Sequence, residues 1–261
     1  MLRDRATLDA LTEDIALLTS VGIRVVLVHG GGAQVTETAA RLGIETKFVG
    51  GRRVTDEETL AVLTMVIAGK MSIEIVSSLK KYGIKAAGFS GVSAGIIEAT
   101  RRPPTKVSGS GDEVVDFGQV GDIREVDPAM LNLALDNNIV PVLAPLGADD
   151  EGNVFNINAD VVAARVAIAL QAEKLVLLTG APGVMEDIND PTTLISVLSL
   201  SQAREAIERG IIKGGMIPKV EEAHHALTNG VRRVHILSGL DPHQLLLEIF
   251  TESGCGTMLV V

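Results

Sequence analysis

Four short segments combine glycine with charge in ways that suit the binding of anions. Val28-His29-Gly30-Gly31-Gly32 runs from an apolar stretch through three glycines into an amphipathic stretch. Glycine lets a backbone approach an anion closely, and a helix starting there offers unpaired N–H groups. A tight strand-to-helix turn is the competing reading, but a turn rarely needs three glycines. The run is not G-x-G-x-x-G and lacks the Gly-Lys-Ser/Thr ending of a P-loop. His29 reads as a packing residue at a strand end.

In Gly51-Arg52-Arg53-Val54-Thr55-Asp56, two adjacent arginines stand beside a Gly-Gly pair. One guanidinium can hold a carboxylate bidentately, although a solvated basic turn explains the same residues. Asn156-Ile157-Asn158-Ala159-Asp160 precedes an Ala-rich amphipathic stretch. Asp160 fits an N-cap or first-turn acid, and the same placement lets Asn156 donate to a ligand while Asp160 orients a cation. Finally, Gly214-Gly215-Met216-Ile217-Pro218-Lys219 exposes backbone N–H groups beside a lysine that opens a helix. A cation prefers the other helix end, so Lys219 there suggests an accompanying anion, with phosphate the natural candidate. Phosphate-binding glycines, a carboxylate clamp, an orienting acid and a lysine suit phosphoryl transfer. That reaction needs positioning and charge neutralisation more than covalent chemistry from the protein.

The elements that must position these residues alternate. Helical periodicity covers about 7–20, 34–42, 160–170, 201–209 and 219–229, with a helix from Glu57 and a last one containing Leu245–Ile249. Apolar runs at Arg24–His29, Ile84–Phe89, Asn138–Ala144, Lys174–Thr179, Val234–Leu237 and Thr257–Val261 read as strands. Phe48–Asp56 reads as a loop or hairpin, and residues 101–123 as projecting hairpins. This βαβα order implies an α/β fold: a three-layer, open, mostly parallel sheet with helices on both faces, binding ligands at the carboxyl ends of its strands.

The 261 residues suit one domain, and 46% hydrophobic with only 2% aromatic content implies a core of Val, Ile, Leu and Ala. A net charge of −10 argues against nucleic-acid and anionic-membrane partners. The single cysteine, Cys255, reads as inert, and the lack of a disulfide framework favours a reducing, cytoplasmic setting. No apolar run reaches the ~18 residues of a membrane span, and the start shows no signal peptide.

The ordered set VHGGGAQV, KFVGGRRVTD, VDFGQVGDI, FNINAD, AEKLVLLT, GGMIPKV and LLLEIFTESGCGTM resembles the N-acetylglutamate kinases of the amino-acid-kinase fold over essentially the whole chain. The resemblance implies transfer from Mg-ATP to the side-chain carboxylate of N-acetyl-L-glutamate, an early step of arginine synthesis. It implies a substrate-binding and dimerisation lobe over about 1–150 and a nucleotide lobe over about 151–261. Backbone at Gly31 and Gly32 would bind the substrate end and the moving phosphoryl group. Arg53 would take the substrate's α-carboxylate and Asn156 would contact the same substrate. Asp160 would organise the active-site lysines, and Lys219 would stabilise the transition state. Gly30, Thr179, Gly180, Gly183, Gly214, Gly215 and Met216 would serve ATP, with no protein metal ligand. Family members form homodimers, and some relatives bind the PII signalling protein.

The chain departs from the family at several places. The Lys-x-Gly-Gly strand that should precede the first helix is not in the sequence, which starts at Met1. Losing one preorganised donor costs on the order of 10²–10³ in turnover, and losing a central strand leaves its neighbours unpaired. Gly180 stands where the family has Asp, Gly91-Val92-Ser93-Ala94 replaces Gly-Val-Asp-Gly, Ser72 replaces Asn, and Ser238 and Leu240 replace Asp and Arg. Two alternatives therefore stand beside the kinase: a catalytically weak relative that acts as a ligand-binding module, and a kinase for a related acyl amino acid.

Overall fold

A computed structural model describes residues 4–106, 114–187, 190–252 and 254–261. The middle of the region read as projecting hairpins, 107–113, lies outside the described residues. The chain divides into two units. One runs from Arg24 to Val162. The other combines the first helix, up to Ile23, with the chain from Ala163 onward. The division differs from a boundary near 150, and it falls inside the helix Ala159–Ala169. The first helix, Arg5–Ser20, joins the C-terminal unit because it packs on the helix Gln244–Phe250. Its buried Asp14 meets His243 Nδ1 at 2.7 Å.

In the 24–162 unit, a three-stranded parallel sheet has the order Leu27–Val28, Val140–Ala144, Ala86–Ser90. Val140–Ala144 is central and buried along its length, as expected of a two-sided parallel strand. The strand expected over Arg24–His29 pairs only at Leu27 and Val28, with a further bond from the His29 N–H to the Leu143 carbonyl. Against this sheet lies a continuous helix, Glu57–Leu63, Thr64–Met71 and Ser72–Lys81, whose middle segment has π-helical bonding. By length and composition, Glu57–Lys81 is long and apolar enough to cross a membrane, which the sequence reading did not expect. Its stripe of Val62, Leu63, Val66, Ile67, Met71, Ile75 and Leu79 is buried, the pattern of a core helix.

A second sheet in this unit, ordered Gly121–Val126, Ile97–Arg101, Leu146–Ala148, Val154–Asn156, is mostly antiparallel. It contains the hairpin expected from 101–123, with strand Ile97–Arg101 starting earlier than read. The short runs 146–148 and 154–156 escaped the sequence reading because three residues show no periodicity. A two-stranded hairpin pairs Phe48–Val49 with Arg52–Arg53. Its turn residues Gly50 and Gly51 have φ of 57° and 75°, the two positive angles a tight I′ turn requires.

The other unit has a four-stranded sheet ordered Lys174–Thr179, Arg233–Ser238, Thr257–Val260, Val197–Ser199. The first pair is parallel over six residues, while Thr257–Val260 runs antiparallel to Val234–Ile236 and parallel to Val197–Ser199. One face, carrying Leu175, Leu177, Val234, Ile236 and Leu259, packs with Val220, Ala223, Ala226 and Leu227 of the helix Met216–Thr228. The other face turns His235 towards the helix Gln244–Phe250, where its Nδ1 lies 2.6 Å from Glu248 Oε1. Helices thus cover both faces of this sheet. The parallel-rich α/β class holds, but it is divided among separate sheets instead of one.

Ala94 has φ 52° and ψ 26°, a left-handed conformation, at the position where the family pattern has glycine. Ala94→Gly should raise stability by about 1 kcal/mol in chemical denaturation, because the Cβ penalty disappears. The Glu248 carboxyl is held down to about 2, chiefly by His235, with help from the Cys255 and Gly256 N–H groups. A depressed carboxylate contributes stability that is present above the unfolded value near 4.5 and lost as pH falls through the folded value. Denaturation curves from pH 7 to 2 should show that acid limb, and Glu248→Gln should flatten it.

Candidate active site

The glycine run after Val28 delivers an open helix end. Gly31 precedes the helix Gly32–Arg41, and no side chain caps its first amides. Four N–H groups at a helix start have no intrahelical partner, so an uncapped end favours an anion. A Cβ on Gly31 would collide with Met71 Sδ and stand 3.1 Å from Ile67 Cγ1. Glycine is thus needed because the π-helical segment packs directly on this backbone. His29 is 3% exposed, and burial lowers its pKa, so the ring is neutral. That agrees with a packing role, although its Nε2 has no hydrogen-bond partner among the described residues.

The hairpin brings Arg53 to the same helix start. Its Nη2 donates to the Gly32 carbonyl at 2.7 Å and to Thr36 Oγ1 at 2.8 Å. Its guanidinium lies over the Phe48 ring, 4.7 Å from the centroid, because the two residues are directly paired across the hairpin. Nη1 is buried with no partner among the described residues. Burial of the cation depresses its pKa. A buried guanidinium donor without an acceptor carries a desolvation cost that an incoming carboxylate would offset.

Asn156 ends the strand Val154–Asn156, and its Nδ2 donates to the fully buried Thr55 Oγ1 at 3.1 Å. Thr55 is itself fixed by backbone bonds to Phe117 and Gln119. Arg53 and Asn156 are therefore tied into one unit through the 53–55 backbone. The cap of the following helix is Asn158, whose Oδ1 accepts the Asp160 N–H at 2.7 Å. Of the two placements open to Asp160, N-cap and first-turn acid, the structure shows the second. Thr36, Phe48 and Thr55 were missed as site residues. The i,i+4 spacing of Gly32 and Thr36 was the one available signal.

In the other unit, Thr179 closes the strand Lys174–Thr179 and its carbonyl accepts the Gly239 N–H at 2.8 Å. Gly180 follows in the open, with only Leu240 Cδ1, at 3.9 Å, near a hypothetical Cβ. Ser238 Oγ accepts the N–H groups of Leu240 and Asp241, work that an aspartate there would also do. Gly214 and Gly215 have open space around them, and Gly215 precedes the uncapped helix Met216–Thr228. Lys219 sits in the first turn of that helix, beside Pro218, which the first turn tolerates. This second uncapped helix start, with accessible backbone and a lysine, is suited to phosphate. Among the described residues no group of three His, Cys, Asp or Glu could hold a metal.

Residues 1–238 match the amino acid kinase family. The chain belongs to that family. It is 49% identical over 95% of its length to the acetylglutamate kinase of Methanocaldococcus jannaschii, of which it covers 83%. It is 46% identical over 96% of its length to the acetylglutamate kinase of Carboxydothermus hydrogenoformans, of which it covers 85%. Among solved structures, N-acetylglutamate synthase from Neisseria gonorrhoeae aligns with 99% of the chain at TM-score 0.83 and 32% identity, and the chain spans 57% of that synthase. Isopentenyl phosphate kinase aligns with 98% of the chain and 91% of its own at TM-score 0.64 and 19% identity, a likeness of fold. Within this family frame, Ser93 retains an acceptor role by taking the Ser90 N–H at 3.0 Å. Nothing in the structure explains Gly180, since its surroundings admit a side chain.

The guanidinium geometry makes a direct prediction. Arg53→Ala should weaken binding of an acyl amino acid roughly 10- to 100-fold, the scale of a lost charge-assisted hydrogen bond. Arg53→Lys should recover little of it, because an ammonium carries its donors on one nitrogen and cannot brace Gly32 and Thr36 while also placing a donor where Nη1 stands. Isothermal titration with N-acetylglutamate reads both.

Proposed function

We propose that this chain transfers the γ-phosphoryl group of ATP to the side-chain carboxylate of N-acetyl-L-glutamate, giving N-acetylglutamyl phosphate in arginine biosynthesis. The observation that carries the reading is Arg53, a braced guanidinium beside an open helix start whose buried Nη1 has no partner among the described residues. Its support from outside the site is the 49% identity to an acetylglutamate kinase. The residues that take the acyl amino acid, Gly31, Gly32, Arg53 and Asn156, lie in the 24–162 unit, and those that take the nucleotide, Gly30 apart, lie in the unit from Ala163 onward.

In this reaction a carboxylate oxygen attacks the γ-phosphorus while the bond to the ADP oxygen breaks. The acceptor is already an anion, so no general base has to remove a proton. The requirement is alignment and relief of negative charge. Arg53 takes the α-carboxylate and Asn156 a polar group of the same substrate. The N–H groups at Gly31 and Gly32 receive the end of the substrate and the moving phosphoryl oxygens. Gly30, Thr179, Gly180, Gly183, Gly214, Gly215 and Met216 line the nucleotide, Lys219 neutralises the transferring group, and Asp160 orients the lysine. Mg²⁺ accompanies ATP on its phosphates. The enzyme works in the cytoplasm as a homodimer, a point supported by the family resemblance.

Gly180 favours a second reading, a ligand-binding relative without turnover. A coupled ADP-release assay with N-acetylglutamate, Mg²⁺ and ATP separates the two. The kinase reading expects ADP release that depends on N-acetylglutamate. It also expects a fall of roughly 10²–10³ in kcat for Lys219→Ala, as for one removed transition-state donor. Binding of N-acetylglutamate without ADP release would support the binder instead.

A further inference from the structure

We infer that Glu248 and Thr257 are positioning residues for the segment Thr179–Gly183, an inference that rests on the nucleotide-binding reading of that segment. The LLLEIFTESGCGTM stretch otherwise has no task in the site. Glu248 sits on the helix Gln244–Phe250, and its side chain and that of His235 are each 5% exposed. One carboxylate oxygen meets His235 Nδ1 at 2.6 Å. The other accepts the N–H groups of Cys255 at 2.7 Å and Gly256 at 2.9 Å. The carboxylate therefore ties the turn 254–256 to the strand Arg233–Ser238.

The next residue, Thr257, is fully buried, and its backbone pairs with Ile236. Its Oγ1 accepts the Val184 N–H at 2.8 Å. A Cβ on Gly183 would stand 2.6 Å from that same oxygen and 2.9 Å from Leu194 Cδ1, so the loop is drawn tightly onto Thr257. Val184 is then locked on its other side by its carbonyl, which accepts the Ile195 N–H at 2.9 Å. The sequence of contacts is continuous: His235, Glu248, the 255–256 amides, Thr257, then Gly183 and Val184. It fixes the far end of the loop whose near end is Thr179. Cys255 takes no chemical part. Its Sγ donates to the Gln244 carbonyl, and burial with Glu248 nearby pushes the thiol up to about 11.

A merely structural role would lower stability without favouring one substrate. A positioning role separates the two Michaelis constants. The test uses the full chain with Thr257→Val, Thr257→Ser, Glu248→Ala and Glu248→Gln. It combines separate KM values for ATP and N-acetylglutamate with titration of a non-hydrolysable ATP analogue. Thr257→Val leaves the buried Val184 N–H without its acceptor and should raise KM for ATP roughly ten-fold or more, with KM for N-acetylglutamate unchanged. Thr257→Ser keeps the hydroxyl and should restore it. Glu248→Ala should follow Thr257→Val, and Glu248→Gln, which can still accept the two amides, should stay near wild type. Should Glu248→Ala fail to fold, the Thr257 pair decides alone. An unchanged KM for ATP in Thr257→Val, or equal rises in both KM values, overturns the inference. If the wild type itself binds no nucleotide, the reading of the segment falls and this inference with it. Wild-type binding matched by Thr257→Val overturns the inference alone.

Discussion

A guanidinium taken half out of water must be compensated, and the arrangement of the 24–162 unit follows from how Arg53 is compensated. Two acceptors, the Gly32 carbonyl and the Thr36 hydroxyl, brace one nitrogen, and the Phe48 ring lies against the planar face. The other terminal nitrogen is left buried, with no partner among the described residues. The bracing depends on the tight glycine turn that returns Arg53 opposite Phe48, and on the glycine run that lets Met71 pack against the helix start. Changing any of these parts disturbs the position of the same charge. A carboxylate ligand completes the compensation, which is why this residue carries more of the functional argument than the more numerous glycines.

Much of this was legible in the sequence, for a physical reason. Glycine runs beside apolar strands and an arginine pair after Gly-Gly are local signals. The local contacts they imply, turn to strand and strand to helix, are those the structure contains. Contacts between residues far apart in sequence were not legible. Thr55 is held by Asn156 across 101 positions, and no periodicity points to such a partner. For Asp160 the sequence leaves N-cap and first-turn acid open, because the two look alike in sequence, and the structure takes the second. Asn158, two residues earlier, is the one that accepts the amide. Three-residue strands were likewise missed, since so short a run carries no alternation to detect.

The division of the chain shows the same limit. A boundary near 150 is natural if units are consecutive, but the first helix docks with the C-terminal unit through the Asp14–His243 contact, 229 positions apart. The single open sheet expected from βαβα order is instead several sheets. Pairing at Leu27–Val28 is brief, and the mostly antiparallel strands around Ile97–Arg101 form a surface of their own. The family departures divide in the same manner. Ser93 and Ser238 keep the acceptor roles that carboxylates would fill. Ala94 holds a backbone angle better suited to glycine, and Gly180 leaves a side chain's space open.

The central claim is that Arg53 Nη1 awaits the carboxylate of an acyl amino acid. A crystal structure of the full chain with N-acetyl-L-glutamate tests it most directly. The account predicts a carboxylate oxygen of the ligand within hydrogen-bonding distance of Nη1, with Nη2 still on Gly32 and Thr36. A ligand bound elsewhere in the 24–162 unit, with Arg53 Nη1 still unpartnered, would contradict it.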